Sequence, residues 1–263
     1  MYNLPPELKV EAHGAIRTVT MNRPEDMNAA NSEMLFALTD LCRLLSEDPD
    51  VRVVILTGAG SAFSAGGDFQ HLARTAYELE YAETTMNNAR QFIRAMVELP
   101  IPVIAAVNGP AVGFGATLAS LCDLVLVSDK AYFAEPHINV GLVVGDGIAV
   151  TWPLYMSMLK AKEFIFTGQR IQPQQAVDCG LANRVVSHQQ LMSESLLLAE
   201  QMAGQPSEAL KDTKRIMNLY LQQNITNVLD THLATQLLAT QRPAHRNIVE
   251  KLIAKQRRKE QTN

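Results

Sequence analysis

The sequence is poor in cysteine and carries no excess of positive charge. Its three cysteines, Cys42, Cys122 and Cys179, lie far apart among 263 residues, so they form neither a CxxC metal motif nor an even disulfide framework. With 23 Lys and Arg against 27 Asp and Glu, the net charge is -4, which supplies no general cationic field for nucleic acid phosphates. We therefore expect a protein of the reducing cytoplasm that does not bind nucleic acid.

The chain also lacks a recognisable signal sequence and an uninterrupted apolar run. Its N-terminus has no basic region followed by an apolar stretch, so we predict no signal peptide. Residues 101–127 are mostly apolar and long enough to cross a bilayer, but Pro102, Asn108 and Asp123 interrupt them. We interpret this segment as strand, loop, buried helix and strand, and we expect no membrane partner.

The order of apolar patterns along the chain predicts an α/β fold. Apolar residues alternate around a glycine in residues 10–21, as in an antiparallel hairpin. Buried strands are predicted at residues 51–56, 103–107 and 124–127, and a polar helical stretch at residues 69–98. Strands separated by helices favour mainly parallel pairing in a layered α/β domain.

The C-terminal part of the chain has helical periodicity only. We predict a core domain over residues 1–192 and a helical region over residues 193–263. This region is too thin to bury a core of its own. We therefore expect it to pack on the core domain or on a neighbouring subunit.

Two glycine-rich turns each follow a buried strand and precede a helix. They cover residues 61–69 (SAFSAGGDF) and 107–117 (VNGPAVGFGAT). Small residues let a ligand approach the backbone, whose free N–H groups can then bind an oxygen atom, and the helix dipole after the second turn favours a negative charge. The first turn is equally compatible with a tight turn capped by Asp68. Neither turn has a GxGxxG or Walker pattern, which disfavours a nucleotide ligand.

These turns and several further motifs resemble the enoyl-CoA hydratase/isomerase family, also called the crotonase superfamily. The resemblance is carried by residues 62–68 (AFSAGGD), 102–109 (PVIAAVNG), 121–123 (LCD), 131–136 (AYFAEP), 141–142 (GL), 166–168 (FTG) and 176–182 (AVDCGLA). It implies a crotonase-like spiral of ββα turns and a C-terminal helical oligomerisation region. It also implies a homotrimer or a homohexamer built as a dimer of trimers.

The resemblance further implies an acyl-CoA thioester substrate whose carbonyl oxygen lies between two backbone N–H groups. Carried over by position, these oxyanion-hole amides belong to Ala65 and Phe114. Each such donor stabilises an enolate by about 3 kcal/mol. Further contacts with the substrate are expected from Gly66, Gly67, Asp68 and Thr117.

No cofactor is expected beyond the coenzyme A that forms part of the substrate. We also expect no metal, because four of the histidines share no metal-ligand spacing: His71, His188, His232 and His245.

Two positions depart from the family pattern. Hydratases of this family carry two catalytic glutamates, and Thr117 and His137 stand at those positions here. Thr117 cannot act as a carboxylate base at neutral pH. Asp146 follows nine residues after His137, in a loop that the resemblance places beside the acyl group. Because a carboxylate near an imidazole orients it and raises its pKa, we predict a catalytic pair. His137 is the expected general base or acid, Asp146 its orienting or water-activating partner, and Glu135 a second candidate.

Three functions remain open at this point. The first is an acyl-CoA enzyme with altered acid and base residues, which the intact motif at residues 65–68 favours. The second is a β-diketone hydrolase of the same superfamily, which cleaves a carbon–carbon bond without CoA and is suggested by the Pro-His and Gly-Asp-Gly sequences and by residues 150–153. The third is a catalytically silent member that serves as a binding or assembly subunit.

The remaining polar residues have simpler interpretations. We expect Asp68 to cap a helix, Asp123 to complete a buried polar interaction, and Trp152 to pack beside the binding cavity. Three cations of the helical region, Lys211, Lys214 and Arg215, could meet a CoA phosphate, but a solvated helix face is the favoured interpretation.

Overall fold

The structure is a computed structural model that describes residues 2–260, apart from the side chains of residue 69 and of residues 256–260. Within this part of the chain, the strands are β1 (Leu8–His13), β2 (Ile16–Met21), β3 (Val53–Gly58), β4 (Val103–Val107), β5 (Ala111–Val112), β6 (Leu124–Ser128), β7 (Phe133–Ala134) and β8 (Arg184–Val186). The helices are α1 (Ser32–Glu47), α2 (Phe69–Tyr77), α3 (Leu79–Glu98), α4 (Phe114–Ser120), α5 (Ile148–Tyr155), α6 (Met158–Thr167), α7 (Pro173–Asp178), α8 (Leu191–Ala203), α9 (Ser207–Thr240) and α10 (Pro243–Glu260). Short 3-10 helices cover Pro24–Asp26, His137–Val140 and His188–Gln190.

Six strands form one sheet in the order β1-β2-β3-β4-β6-β8. β1 and β2 are antiparallel, as the hairpin pattern predicted, and every other pair in this sheet is parallel. The α/β fold expected from the sequence is therefore confirmed. Because the carboxyl ends of parallel strands lie at one edge of a sheet, the glycine-rich turns after β3 and β4 are brought to the same place.

Helices cover both faces of this sheet. Side chains alternate along a strand, so β3 directs Ile55 to one face and Val54 and Leu56 to the other. Ile55 shares an apolar cluster with Leu191 and Ala199 of α8, whereas Val54 and Leu56 belong to the larger cluster that also involves α1, α3 and α9. Full burial of an aliphatic side chain of this size contributes about 1.5–3 kcal/mol, so both layers stabilise the fold.

The C-terminal helices pack on the core domain, which is one of the two arrangements predicted from the sequence. α8 begins at Leu191, so the predicted domain boundary between residues 192 and 193 falls in its first turn. α9 packs against α3 and α5, and α10 packs against α2.

Lys214 of α9 has an unexpected position. It is 7% exposed and donates to the carboxylate of Asp123 at 2.7 Å and to the carbonyl of Ile101 at 2.9 Å. Both interpretations from the sequence, a CoA phosphate contact and a solvated helix face, are therefore wrong for Lys214. The expectation that Asp123 completes a buried polar interaction is confirmed by the same contact.

Two predicted segments can be compared directly with the structure. Residues 101–127 form β4, β5, α4 and β6, which confirms the strand, loop, helix and strand interpretation. The helix predicted over residues 69–98 is instead divided into α2 and α3, because Glu78 between them is extended, with φ −112° and ψ 97°. None of the described helices has both the length and the apolar character that a membrane crossing requires.

Candidate active site

The two glycine-rich turns are hydrogen-bonded to each other. The amide of Ser64 donates to the carbonyl of Pro110 at 3.1 Å, and the carbonyl of Ser64 accepts from the amide of Val112 at 2.9 Å. Gly66 has a φ of +101°, and a Cβ at this position would lie 2.9 Å from the carbonyl oxygen of Val112 and 3.9 Å from the amide nitrogen of Phe114. Residue 66 must therefore be glycine for the first turn to lie against the N-terminus of α4.

The amides of Phe114 and Gly67 in these turns are free to bind a ligand. Phe114 is the first residue of α4, so its N–H has no partner within the helix. The N–H of Gly67 makes no hydrogen bond to the described part of the chain, whereas the N–H of Ala65 donates to the carbonyl of Met27 at 3.0 Å. The prediction that Ala65 supplies an oxyanion-hole amide is therefore wrong, because that donor is already used. Gly67 offers a free amide in this turn.

A cavity of about 230 Å³ opens beside the two turns. Its lining includes Gly66, Gly67, Gly113, Phe114, His137 and Asp146. Most of the remaining lining is apolar. The cavity therefore combines free backbone donors with titratable side chains, and it includes both residues of the pair predicted from the sequence.

Asp68 and Thr117 are not part of this lining. Asp68 caps α2 by accepting from the amide of His71 at 2.6 Å, and it pairs with Arg23 at 3.5 Å. Thr117 is 1% exposed. Its methyl group packs against the loop of Asp146, since a Cβ added to Gly147 would lie 3.2 Å from it. The prediction of substrate contacts is therefore wrong for both residues: the first caps a helix, and the second supports the loop that carries Asp146.

Glu135, His137 and Asp146 form a continuous polar group. Oε1 of the fully buried Glu135 accepts hydrogen bonds from the backbone amide of His137 at 3.0 Å and from Nδ1 of the same residue. On the other side of the ring, Oδ2 of Asp146 lies 3.9 Å from Nε2 of His137. The imidazole therefore lies between two carboxylates, one buried beneath it and one at the cavity.

This arrangement changes the protonation of both cavity residues. Burial by itself lowers the pKa of His137, but the charges of Glu135 and Asp146 outweigh it and raise that pKa to about 9. Burial raises the pKa of Asp146 to about 6, although His137 opposes the rise. At neutral pH, His137 is therefore an imidazolium and Asp146 is a carboxylate close to its pKa.

Gln236 of α9 completes the surroundings of the ring. Its side-chain amide lies 3.2 Å from Nε2 of His137, and the residue is 7% exposed. The atom nearest the ring is the amide nitrogen of Gln236. Because both nitrogens of an imidazolium are donors, a charged His137 requires the amide to be turned over so that its oxygen accepts from Nε2. Sequence analysis missed Gln236, because no motif marks it and it lies 99 residues away from His137 in the chain.

The same three residues bear on the expectation that no metal is bound. Donor atoms of Glu135, His137 and Asp146 lie within 4.8 Å of one another, a spacing that an ion could bridge. Nδ1 and Nε2 of His137 already have Glu135 and Gln236 as hydrogen-bond partners, so the ring would lose one of them on binding an ion. The absence of a metal stays a prediction.

Trp152 behaves as a packing residue, as expected. It is fully buried, and its ring meets the ring of Phe164 edge to face at a centroid distance of 6.5 Å.

Comparison with known proteins places this geometry in a family. The family model for enoyl-CoA hydratase/isomerase matches residues 11–261. The short-chain-enoyl-CoA hydratase of Clostridium acetobutylicum is 34% identical, over 84% of each chain. A crystal structure of an enoyl-CoA hydratase/isomerase from Mycobacterium paratuberculosis aligns with a TM-score of 0.91 and 40% identity, over 95% of this chain and 100% of that chain. A monofunctional enoyl CoA isomerase from M. smegmatis aligns with a TM-score of 0.71 and 30% identity, over 87% of this chain and 99% of that chain. The motifs, the fold and a family match that spans nearly the whole sequence agree: the chain belongs to the enoyl-CoA hydratase/isomerase family.

Proposed function

We propose that the protein moves the double bond of an enoyl-CoA by proton transfer next to the thioester carbonyl, through an enolate intermediate. Family membership supports an enzyme that processes acyl-CoA. One observation carries the choice of reaction: of the described residues that line the cavity, Asp146 is the one carboxylate. A single carboxylate can remove a proton and return it, which is what double-bond migration requires.

The free amides of Gly67 and Phe114 are suited to hold the thioester oxygen. Removal of a proton from the carbon next to a thioester carbonyl places negative charge on that oxygen. A preorganised donor directed at such a charge contributes about 2.7–4 kcal/mol to the stability of the transition state. Both donors are backbone groups, so the Phe side chain at position 114 alters the shape of the cavity and leaves the donor in place.

Asp146 is the proposed base, and His137 its charged partner. The sequence suggested a different assignment, with His137 as base or acid and Asp146 as its orienting or water-activating partner. A histidine with a pKa of about 9 already carries its proton at neutral pH, whereas a carboxylate with a pKa of about 6 is mostly ionised there and can accept one. A base with a pKa near the working pH is the effective one.

The proposed reaction balances without water or an oxidant. The carboxylate of Asp146 takes a proton from the carbon between the carbonyl and a 3,4 double bond, and the electron pair moves through the carbonyl to give a dienolate. The protonated Asp146 then returns the proton to the fourth carbon, and the double bond settles next to the carbonyl. The imidazolium of His137 stabilises Asp146 in its charged form before and after the transfer.

Incubation with hex-3-enoyl-CoA tests this proposal. The expected result is appearance of the conjugated hex-2-enoyl thioester, with incorporation of solvent deuterium at the second or fourth carbon in D2O. An Asp146→Asn variant, which keeps the size of the side chain, is expected to lose the reaction. Hydration of crotonyl-CoA at a higher kcat/KM than isomerisation would instead identify a hydratase.

Hydrolysis of a β-diketone is the second candidate, because the adjacent imidazolium and carboxylate at the cavity could also activate water. Calorimetric titration with acetyl-CoA or crotonyl-CoA separates the two, since the β-diketone reaction needs no CoA. Binding of CoA thioesters without turnover of any member of a thioester panel would support the third possibility, a silent binding subunit.

Assembly and location are also proposals. We propose a homotrimer or a dimer of trimers, supported by exposed apolar side chains on α9, and no cofactor other than the CoA of the substrate. A reducing compartment such as the cytoplasm is proposed from the cysteines, which are all free thiols.

A further inference from the structure

The part of the cavity formed by α3 includes two polar side chains where an acyl chain would need only apolar contacts. Thr85 and Asn88 line the cavity and lie one helical turn apart, so they share one face of α3. Asn88 is 8% exposed, and its side-chain amide makes no hydrogen bond to the described part of the chain. The other buried residues of α3 are Ala82, Met86, Phe92, Ile93, Met96 and Val97.

Because Asn88 borders the cavity, a ligand that fills the cavity removes its side-chain amide from water, and an amide left without a partner in that way is costly. The position of Asn88 on a helix whose buried side is otherwise apolar therefore needs a reason. An amide that borders a ligand cavity recovers its hydrogen bonds when a ligand supplies them. Asn88 offers both a donor and an acceptor for that purpose.

Asn88 lies near the reacting groups. One turn further along α3, the ring of Phe92 packs on that of Phe114 at a centroid distance of 5.4 Å. Ile93 reaches the loop of Asp146, since a Cβ on Gly147 would lie 3.5 Å from its Cδ1. α3 therefore runs beside the N-terminus of α4 and the loop that carries Asp146, and Asn88 lies about one turn before these contacts on the same helix.

The charge at this end of the cavity restricts the ligand. The described residues of the lining include neither Lys nor Arg. His71, also in the lining, hydrogen-bonds Tyr81 at 3.0 Å, and burial lowers its pKa, so it is neutral at pH 7. The imidazolium of His137 already lies between the carboxylates of Glu135 and Asp146. A carboxylate on the acyl group would therefore be buried without a cation of its own, which is strongly unfavourable.

We infer that the acyl group of the substrate carries an uncharged hydrogen-bonding substituent, a hydroxyl or a ketone, and that Asn88 binds it with Thr85 beside it. This inference rests on the proposed acyl-CoA function and names the class of acyl group. Asn88 is thereby a specificity-determining residue: an acyl group without the substituent leaves its amide unpaired.

Calorimetric titration with non-reacting saturated thioesters tests this inference separately from the reaction. The probes are hexanoyl-CoA, 5-hydroxyhexanoyl-CoA and 6-hydroxyhexanoyl-CoA, with adipoyl-CoA as the charged analogue. We expect one of the hydroxylated thioesters to bind at least about fivefold more tightly than hexanoyl-CoA, the order of magnitude of one additional hydrogen bond. Adipoyl-CoA is expected to bind more weakly than either.

An Asn88→Leu variant is expected to lose this preference and to bind hexanoyl-CoA more tightly than the native protein does. The matched control is Asn87→Leu, since Asn87 is the preceding residue of α3, is exposed and pairs with Arg90. An Asn88→Ser variant, smaller and still polar, provides a second test if the leucine variant does not fold, and it is expected to keep part of the preference.

Equal or weaker binding of both hydroxylated thioesters, a preference that survives Asn88→Leu, or tightest binding of adipoyl-CoA would each overturn the inference. Failure of the proposed function would give a different experimental result. In that case hex-3-enoyl-CoA is not isomerised although the saturated thioesters still bind with the expected order.

Discussion

Glu135 holds His137 twice with a single oxygen, Oε1, which accepts from both the backbone amide and Nδ1 of that residue. The two residues are separated by Pro136 alone, so the contact is local, and the 3-10 helix that begins at His137 turns the ring back over Glu135. The consequence is a ring with a fixed orientation and a strong preference for its charged form.

Replacement of Glu135 by Gln removes one of the two charges that raise the pKa of His137, while the side chain keeps its size. We expect the pKa of His137 to fall from about 9 towards its ordinary value. NMR titration of the imidazole measures this directly. A matched Glu163→Gln variant, on the exposed face of α6, should leave the titration unchanged, and an unchanged titration in Glu135→Gln itself would contradict the assigned contact.

Removal of the proposed base and of its charged partner should not be additive. General acid–base catalysis contributes about 10²–10⁴-fold, so we expect Asp146→Asn and His137→Ala each to lower kcat by that order. The double variant should be little worse than Asp146→Asn, because the residues act as a unit. Rates within about threefold of the native value in both single variants would refute the catalytic pair and leave Glu135 as the next candidate.

The pH profile of isomerisation follows from the two protonation states. Asp146 must be ionised, so kcat/KM should rise with pH through about 6. His137 must be protonated, so kcat/KM should fall as pH rises through about 9. The expected profile is a bell with its plateau between these values. If His137 were the base, the rate would instead keep rising as its proton is lost.

The proposed oxyanion hole can be tested at Gly66, which lies in the glycine-rich turn of residues 61–69, here called the oxyanion turn. In Gly66→Ala, the new Cβ would lie 2.9 Å from the carbonyl oxygen of Val112, at a φ of +101°. The turn must move, so we expect a loss of kcat of about 10²-fold or more as the amides of Gly67 and Phe114 lose their common target.

Gly14→Ala is the control for this experiment. Gly14 also has a positive φ, of +59°, but a Cβ there meets nothing within 4 Å, and the residue lies in the hairpin between β1 and β2. This variant should lower the free energy of unfolding by about 1 kcal/mol and leave kcat unchanged. Equal effects of the two variants on kcat would show that strain in the backbone, and not the oxyanion turn, explains the loss.

Light scattering tests the proposed assembly. Ile216, Met217, Leu219 and Tyr220 of α9 are each at least 58% exposed, a patch that we expect to be covered by another subunit. We expect a trimer or a hexamer, and a smaller species for Met217→Glu. Arg215→Glu, a change at the neighbouring exposed position, should have a weaker effect. A stable monomer near 29.0 kDa would refute the proposal.

The sequence predicted features whose causes are local. The turns after β3 and β4 were marked by their small residues, the cap at Asp68 by its position before a helix, and the His137 and Asp146 pair by the family motif. Features that depend on distant chain segments were missed. Whether Ala65 or Gly67 keeps a free amide depends on the carbonyl of Met27, which no motif reveals.

Long-range contacts of α9 were the least predictable. Nothing in the sequence around Lys214 distinguishes it from a solvent-exposed lysine. Its burial follows from the packing of α9, which brings it to the carboxylate of Asp123. The contact of Gln236 with His137 likewise cannot be predicted from the local sequence, because it depends on the packing of α9 against α3 and α5. In both cases the packing of α9, and no property of the neighbouring sequence, determines the role.

The length of α9 restricts how its sequence can change. The helix is unbroken from Ser207 to Thr240, with Lys214 anchored near one end and Gln236 at the imidazole near the other. An α-helix advances about 1.5 Å and turns about 100° per residue. Insertion or deletion of a single residue between these two contacts would therefore rotate one of them by about 100° relative to the other and away from its partner, so this segment can accept substitutions but not single-residue changes of length.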